Sequence, residues 1–363
     1  MTIQENVPLA PLTTFQVGGP ARYFIEARSE TDVRNAVNLA AERRGPLFVL
    51  GGGSNLVVAD EGWPGLVLKI SIPGVSFDAA GDSMLFSAGA GEDWDSFVAL
   101  AVSKNCAGIE CLSGIPGTVG GTPVQNVGAY GQEVSQTITR VRALEISSGI
   151  VREFTNAVCG FAYRTSIFNT SQPGKHIVLQ VGYHLRRGGA PHIQYADVQK
   201  FFAANPPPGA PSLQQVREAV RAIRQSKAML IVPGDEDCRS AGSFFKNPLV
   251  SAAEADRVEA LAQQLAPDKK FPRYPEDKEE SASGGKGTVK LSAAWLVEQA
   301  GFHKGYARGR VGISRKHALA IVNRGGASAR DILALKDEIQ QKVFDVWGVR
   351  LQPEPVFVGF PSE

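Results

Sequence analysis

Cysteine and histidine are both scarce in this chain of 363 residues. The four cysteines, Cys106, Cys111, Cys159 and Cys238, form no C-x-x-C pair. This excludes a disulfide framework and leaves buried, inert thiols as their reading. The five histidines, His176, His184, His192, His303 and His317, show no H-x-x-x-H spacing and no neighbouring cysteine cluster, so no metal site is expected. Charge of one sign is lacking too. The 38 Lys and Arg nearly cancel the 36 Asp and Glu, which removes the global field that draws proteins to nucleic acid or anionic membranes. No apolar run reaches membrane-spanning length, and the opening MTIQENVPLAPLTTF lacks the basic-then-apolar order of a secretory signal. A cytoplasmic protein that takes a small ligand, without nucleic acid and without membrane insertion, is the expectation.

What is present is a globular composition, 43% apolar, in a chain long enough for two or three domains. The first unit reads as β-α-β. ARYFIEA (21–27) is strand-like, and ETDVRNAVNLAAERR (30–44) is amphipathic and helical, with Gly45 placed to stop it. The apolar run 46–50 is a second strand, and it runs straight into Gly51, Gly52, Gly53, Ser54 and Asn55. Three successive glycines forbid an ordinary helix or strand and suggest backbone approaching a ligand.

A second unit of helix and strand begins near Phe77 and includes a helical stretch over 92–105. Its centre, SGIPGTVGGTPVQNVGAYG (113–131), is too glycine-rich for one regular element and too apolar for a disordered linker. A buried, ligand-facing loop with a short helix is expected there. ANPPPGAPS (204–212) marks a loop before a helix ending at Lys227. The third unit carries a polar insert, EDKEESASGGKG (276–287), expected as an exposed loop, helix candidates over 291–301 and 328–348, and a strand candidate over 317–323. Ser328, three residues before Asp331, is a plausible N-cap pair. The alternating apolar tail 349–360 is expected to return as a strand to the second unit. The fold class is therefore α+β, with boundaries at 1–76, at 77–228 together with 348–363, and at 229–347.

The loop GGGSN suits phosphate, because glycine lets backbone N–H groups converge on an anion while Ser54 and Asn55 add side-chain donors. Gly51-x-Gly53-x-x-Leu56 lacks the third glycine of the Rossmann fingerprint and no helix clearly follows, so a Rossmann site is rejected here. A plain tight turn remains the alternative for this loop alone. The second loop, with Ser113, Gly114, Ile115, Pro116, Gly117, Gly120, Gly121, Gln125, Asn126, Gly128 and Ala129, supplies a partner for it. Two such loops in consecutive units could cradle one long diphosphate cofactor.

This pair of loops resembles the FAD-binding region of the UDP-N-acetylenolpyruvoylglucosamine reductase family. The resemblance runs in the family's order from TTFQVGGPA at Thr13 to the terminal PEPVFVGF. It implies a flavin fold of the vanillyl-alcohol-oxidase (PCMH) type in two α+β subdomains, with a C-terminal α+β substrate-binding domain. It also implies non-covalent FAD, NADPH as hydride donor, and a monomer in which NADPH and a UDP-sugar enolpyruvate share one cleft. FAYRTSIF resembles the segment whose arginine meets the substrate carboxylate, here Arg164, with Tyr163 beside it. AGSFFKNP resembles the segment of the catalytic serine, here Ser243, with Asn247 among the substrate contacts, and PEP resembles that of the catalytic glutamate, here Glu354. The resemblance further implies substrate-binding roles for Tyr130, Lys227 and Gln299. Tyr195, in IQYADV, resembles the tyrosine of a mobile loop in the type I branch. AMLIVPGDEDCRS, between Lys227 and Ser243, departs from the family's pattern.

The implied chemistry suits these residue types. Hydride addition to an enolpyruvyl ether leaves carbanion-like charge next to a carboxylate. An arginine can take that charge in bidentate geometry, and a positioned serine can then protonate the carbon. Two other enzymatic readings compete. Ser243-x-x-Lys246 also fits the S-x-x-K pattern of serine acyltransferases, with Lys286-Gly-Thr288 as a faint second motif, but no S-D-N element lies between them. A flavin oxidase of the same fold, acting on a sugar or alcohol, is the other. A flavin-binding module without activity would leave the polar motifs of the third unit without a role.

Overall fold

The structure is a computed structural model that describes residues 1–275 and 288–361. The polar insert 276–287, including Lys286, lies outside the described residues. The chain divides into two compact units, one of Met1–Val7, Ala21–Gly53 and Trp63–Ile231, the other of Pro8–Pro20, Ser54–Gly62 and Val232–Glu363.

In the first unit, Pro20–Ala27, Trp63–Ile70 and Leu47–Leu50 form adjacent parallel strands, with Gln4–Pro8 at the edge. Parallel neighbours require a crossover, and the helix Glu30–Glu42 supplies it. That helix starts where Ser29 caps the amide of Asp32. It ends one residue earlier than Gly45 suggests. Arg44 takes the left-handed conformation, φ 50°, and the amides of Arg44 and Gly45 return to the carbonyls of Ala41 and Ala40, a Schellman arrangement with arginine where glycine is usual.

The second sheet of this unit is antiparallel, in the order Val151–Thr155, Ile138–Glu145, His176–Arg187, Ser83–Gly89, Val75–Ala80. The helix Trp94–Ser103, capped by Asp93 through the amide of Ser96, packs Trp94 and Phe97 against it. Phe97 meets the ring of Tyr183 at 4.9 Å and that of Phe86 at 5.7 Å. These large rings are buried in close contact, and the polar edges of two of them fix the second glycine loop. Tyr183 shares a hydrogen bond of 2.9 Å with Thr122, and Trp94 Nε1 donates to the Leu112 carbonyl at 3.0 Å. All four cysteines are buried and none forms a disulfide among the described residues. Burial pushes the Cys159 thiol up to about 12 and raises that of Cys111 as well, so neither thiol is reactive at neutral pH.

The second unit builds a core around Trp295, Trp347 and Phe244 between the helices Ala252–Leu265, Ala293–Gln299 and Ala329–Trp347 and short antiparallel sheets. The last helix carries the capping box expected at Ser328 and Asp331 and stops at Gly348, φ 66°. Two expectations are corrected here. Only Ile321–Asn323 of the 317–323 candidate is a strand, because His317 Nδ1 accepts from the Leu319 amide and closes a turn. The terminal strand, Val356–Val358, pairs in parallel with Leu56–Val58 just after the first glycine loop, and not with the second sequence unit. No helix among the described residues is long and apolar enough to cross a membrane.

Candidate active site

The strand Leu47–Leu50 delivers the chain to Gly51, Gly52 and Gly53, the last with φ 65°. A Cβ on Gly52 would lie 2.6 Å from Gly117 Cα, and one on Gly51 would lie 3.1 Å from Thr118 Oγ1. The two glycine loops therefore meet backbone to backbone, which only glycine permits. The second loop is anchored from behind. Trp94 N–H donates to Gly117 O at 3.1 Å, Val119 N–H to Glu92 O at 2.9 Å, and Gly120 N–H to Ala90 O at 2.9 Å. The Gly114 peptide is gripped on both edges. Its N–H donates to Asp95 Oδ1 at 2.6 Å, and its carbonyl accepts from Arg224 Nε at 3.0 Å.

Several side chains of the loop are engaged within the protein. The Ser113 hydroxyl is fully buried and donates to the Glu110 carbonyl at 2.6 Å. Ile115 packs on the core, and Pro116 is half-buried beside it. Asn126, also buried, donates to Glu133 and to the Ala162 carbonyl and accepts from the Ser135 amide, so it ties the loop to the turn that carries Tyr163. Gln125 is half-buried. Gly121 has no protein atom within 4 Å of a Cβ position, so no contact within the protein requires glycine there.

Tyr163 and Arg164 are the central pair of a two-residue turn closed by hydrogen bonds in both directions between Ala162 and Thr165. Arg164 holds φ 56°, a conformation that costs a non-glycine residue energy and clusters at functional positions. Its guanidinium lies 5.2 Å from the Tyr163 ring centroid and donates to the Gly128 carbonyl at 2.7 Å. Gly128 pairs in turn with Glu133, and Ala129 with Gln132, in a short antiparallel ladder. Tyr130, φ 52°, meets the ring of Tyr195 edge-on at 5.4 Å. Burial pushes the Tyr130 phenol up, against the opposing pull of Arg224 and Lys227. Tyr195 stands at the N-terminus of a helix, Ala196–Ala204, that the sequence reading did not expect, and Asp197 in its first turn pairs with Lys227. Tyr130, Tyr195, Lys227 and Arg224 thus belong to one cluster of the first unit.

In the second unit, Ser54, Asn55 and Leu56 leave the first loop. The Thr14 hydroxyl reaches the carbonyls of Ser54 and Ser240. Asn55 Nδ2 donates to the Glu354 carbonyl at 3.2 Å, while Asn55 O accepts from the Val356 amide at 2.9 Å. Ser243 follows Gly242, φ 76°, in a bend, after which Phe245 bridges to Pro353 and Glu354 N–H donates to the Phe244 carbonyl. No helix begins at Ser243, which removes the context that an S-x-x-K nucleophile needs. Asn247 Oδ1 accepts from the Ala293 amide at 3.0 Å, at the start of the helix that ends with Gln299. Among the described residues no group of acidic, histidine or cysteine side chains could hold a metal ion.

Sequence reasoning missed Asp95, Arg224, Asp197 and Thr118. The first three act from helices flanking the loops, and only folding shows their aim. Thr118 was visible between Gly117 and Gly120, yet no pattern of spacing singles out a threonine. The structure leaves its Oγ1 buried with no hydrogen-bond partner among the described residues. Glycines in backbone contact, with an unsatisfied hydroxyl at their meeting point, fit a ligand rich in oxygen acceptors.

Both glycine loops lie within residues 21–155, which match a family model described as "FAD binding domain", so this part of the chain is an FAD-binding domain of the PCMH type. A second model, described as "UDP-N-acetylenolpyruvoylglucosamine reductase, C-terminal domain", matches residues 233–358. The UDP-N-acetylenolpyruvoylglucosamine reductase of Thermobifida fusca (strain YX) is 45% identical over 358 residues, 98% of either chain. That of Saccharopolyspora erythraea is 45% identical over 356 residues, 96% of this chain and 94% of its own. The chain belongs to the UDP-N-acetylenolpyruvoylglucosamine reductase family. In fold it is similar to the crystal structure of the Thermus caldophilus member, with a TM-score of 0.65 at 24% identity over 98% of this chain and 100% of the other.

Proposed function

We propose that this protein reduces the enolpyruvyl ether of UDP-N-acetylglucosamine enolpyruvate to UDP-N-acetylmuramate, a step of peptidoglycan precursor synthesis, with NADPH as electron source. The observation that carries this reading is kinship over the whole length at 45% identity, together with two glycine loops in backbone contact. FAD, when bound, supplies hydride transfer between the nicotinamide and the substrate carbon. Gly51, Gly52, Gly53, Gly117 and their neighbours hold its diphosphate.

Arg164 receives the substrate carboxylate. Its turn and the Gly128 carbonyl hold the guanidinium in place before substrate arrives, which is what electrostatic stabilisation of a developing charge requires. Tyr163, Tyr130, Tyr195, Lys227, Asn247 and Gln299 contact the sugar nucleotide. Lys227, paired with Asp197, offers an ammonium that a diphosphate can recruit. Ser243 gives its hydroxyl proton to the carbon next to the carboxylate, and Glu354, held by Asn55 and Phe244, shapes the same reaction. Residues 229–347 serve as the substrate-binding domain of a cytoplasmic monomer. NADPH and the sugar nucleotide bind in alternation, since no separate dinucleotide fingerprint is present.

The test is spectroscopic. The purified protein should be yellow, NADPH should bleach its visible flavin band under anaerobic conditions, and the enolpyruvyl sugar should restore the band. Restoration by oxygen alone, with no response to the enolpyruvyl sugar, would instead identify an oxidase.

A further inference from the structure

Thr118 sits where the two glycine loops touch, and its backbone has no freedom to withdraw. It pairs with Asp93 in a β-bridge, and the neighbouring peptides are held by Trp94 and Glu92. The residue occupies the N-cap position of the short turn Val119–Gly121, yet its side chain makes no capping hydrogen bond. That is the usual work of a threonine there. The contrast with Thr122 in the same loop is direct. Thr122 spends its hydroxyl on the Val119 carbonyl and on Tyr183, whereas Thr118 Oγ1 is buried without a partner among the described residues. A buried hydroxyl left unsatisfied lowers stability, so it persists where another state of the protein satisfies it. The position a Cβ would take on Gly51 is 3.1 Å away. The hydroxyl therefore points at the stretch of loop kept bare of side chains.

We infer that the Thr118 hydroxyl is a hydrogen-bonding ligand of the bound flavin nucleotide, additional to the loop's backbone amides. This rests on the reading of the two loops as the FAD site. It carries a consequence that a structural threonine would not. Removing the hydroxyl weakens cofactor binding while leaving the cofactor-free protein as stable as before, or more so, because an unpaired polar atom has been taken out of the interior.

The experiment compares Thr118→Val, which keeps the shape, with the wild-type chain, both stripped of flavin. Thermal melting is followed first, then titration with FAD by flavin fluorescence. The expected result is an apoprotein melting temperature equal to or above wild type, with an FAD dissociation constant raised about ten-fold, or about 1.4 kcal/mol. An unchanged dissociation constant overturns the inference, as does a loss of apoprotein stability that matches the loss of binding. Thr118→Ser and Thr118→Ala supply an independent comparison, since both lack the methyl group and differ in the hydroxyl. Ser should bind FAD about ten-fold more tightly than Ala, and equal affinities overturn the inference. Failure of the wild-type apoprotein to take up FAD would instead defeat the reading of the loops themselves.

Discussion

The amide of Glu354 donates to the carbonyl of Phe244 at 2.9 Å, a backbone contact that ties the glutamate one residue away from Ser243. Two residues 111 positions apart in the chain are thereby held in fixed register. A substitution at either side chain leaves that register intact, so its kinetic effect can be read as chemistry.

Ser243→Ala should therefore separate the two halves of the reaction. Stopped-flow mixing with NADPH should show flavin reduction at the wild-type rate. Reoxidation by the enolpyruvyl sugar should fall by roughly 10²–10⁴-fold, the usual worth of a positioned proton donor. Equal loss in both halves would remove Ser243 from the proton-donor role.

The loop contact predicts an asymmetry between two glycines. Gly52→Ala forces a methyl group to within 2.6 Å of Gly117 Cα, a collision with backbone that costs about 1–3 kcal/mol of overpacking and spreads the loops. Gly121→Ala meets nothing within 4 Å. The first variant should purify without flavin colour and the second should retain it. Absorbance per mole of protein checks both.

Asp95 makes the grip on Gly114 dependent on pH. Burial pushes its carboxyl up, but the hydrogen bonds and charges of Arg217, the Gly114 amide and Arg221 outweigh burial and hold it below the usual carboxylate range. A lowered folded-state value stabilises the fold above the unfolded value, and that stability is lost as pH falls through the folded value. Asp95→Asn should then lower the melting temperature by about 2–4 °C for each kcal/mol lost at neutral pH. The gap from wild type should close as pH falls below about 4. A gap that stays constant to low pH would count against the ion pairs as its source.

Much of the fold was legible from local rules. Helix starts at Ser29 and Ser328 follow from side-chain caps, and the stop at Gly348 follows from a left-handed glycine. The reading failed where a local rule had a rival. Arg44 rather than Gly45 took the left-handed position, and the amides of both residues satisfy the last helix carbonyls, those of Ala41 and Ala40. Ala196–Ala204 was missed because nine residues carry too few repeats for a helical periodicity to stand out.

By itself the sequence determined the chemistry on offer: two glycine loops that admit a diphosphate, an arginine, a serine and a glutamate in a family's order, and neither a disulfide framework nor a metal-ligand pattern. These are properties of residue type and spacing, which survive any packing. Tertiary structure alone decided which groups are already engaged. Ser113 turns inward to Glu110, Asn247 caps a helix, and Arg164 is bent into a turn against Gly128, while Thr118 keeps a buried hydroxyl that nothing among the described residues satisfies. A side chain's hydrogen-bond partner depends on which distant backbone groups the fold brings within about 3 Å, and no local pattern encodes that.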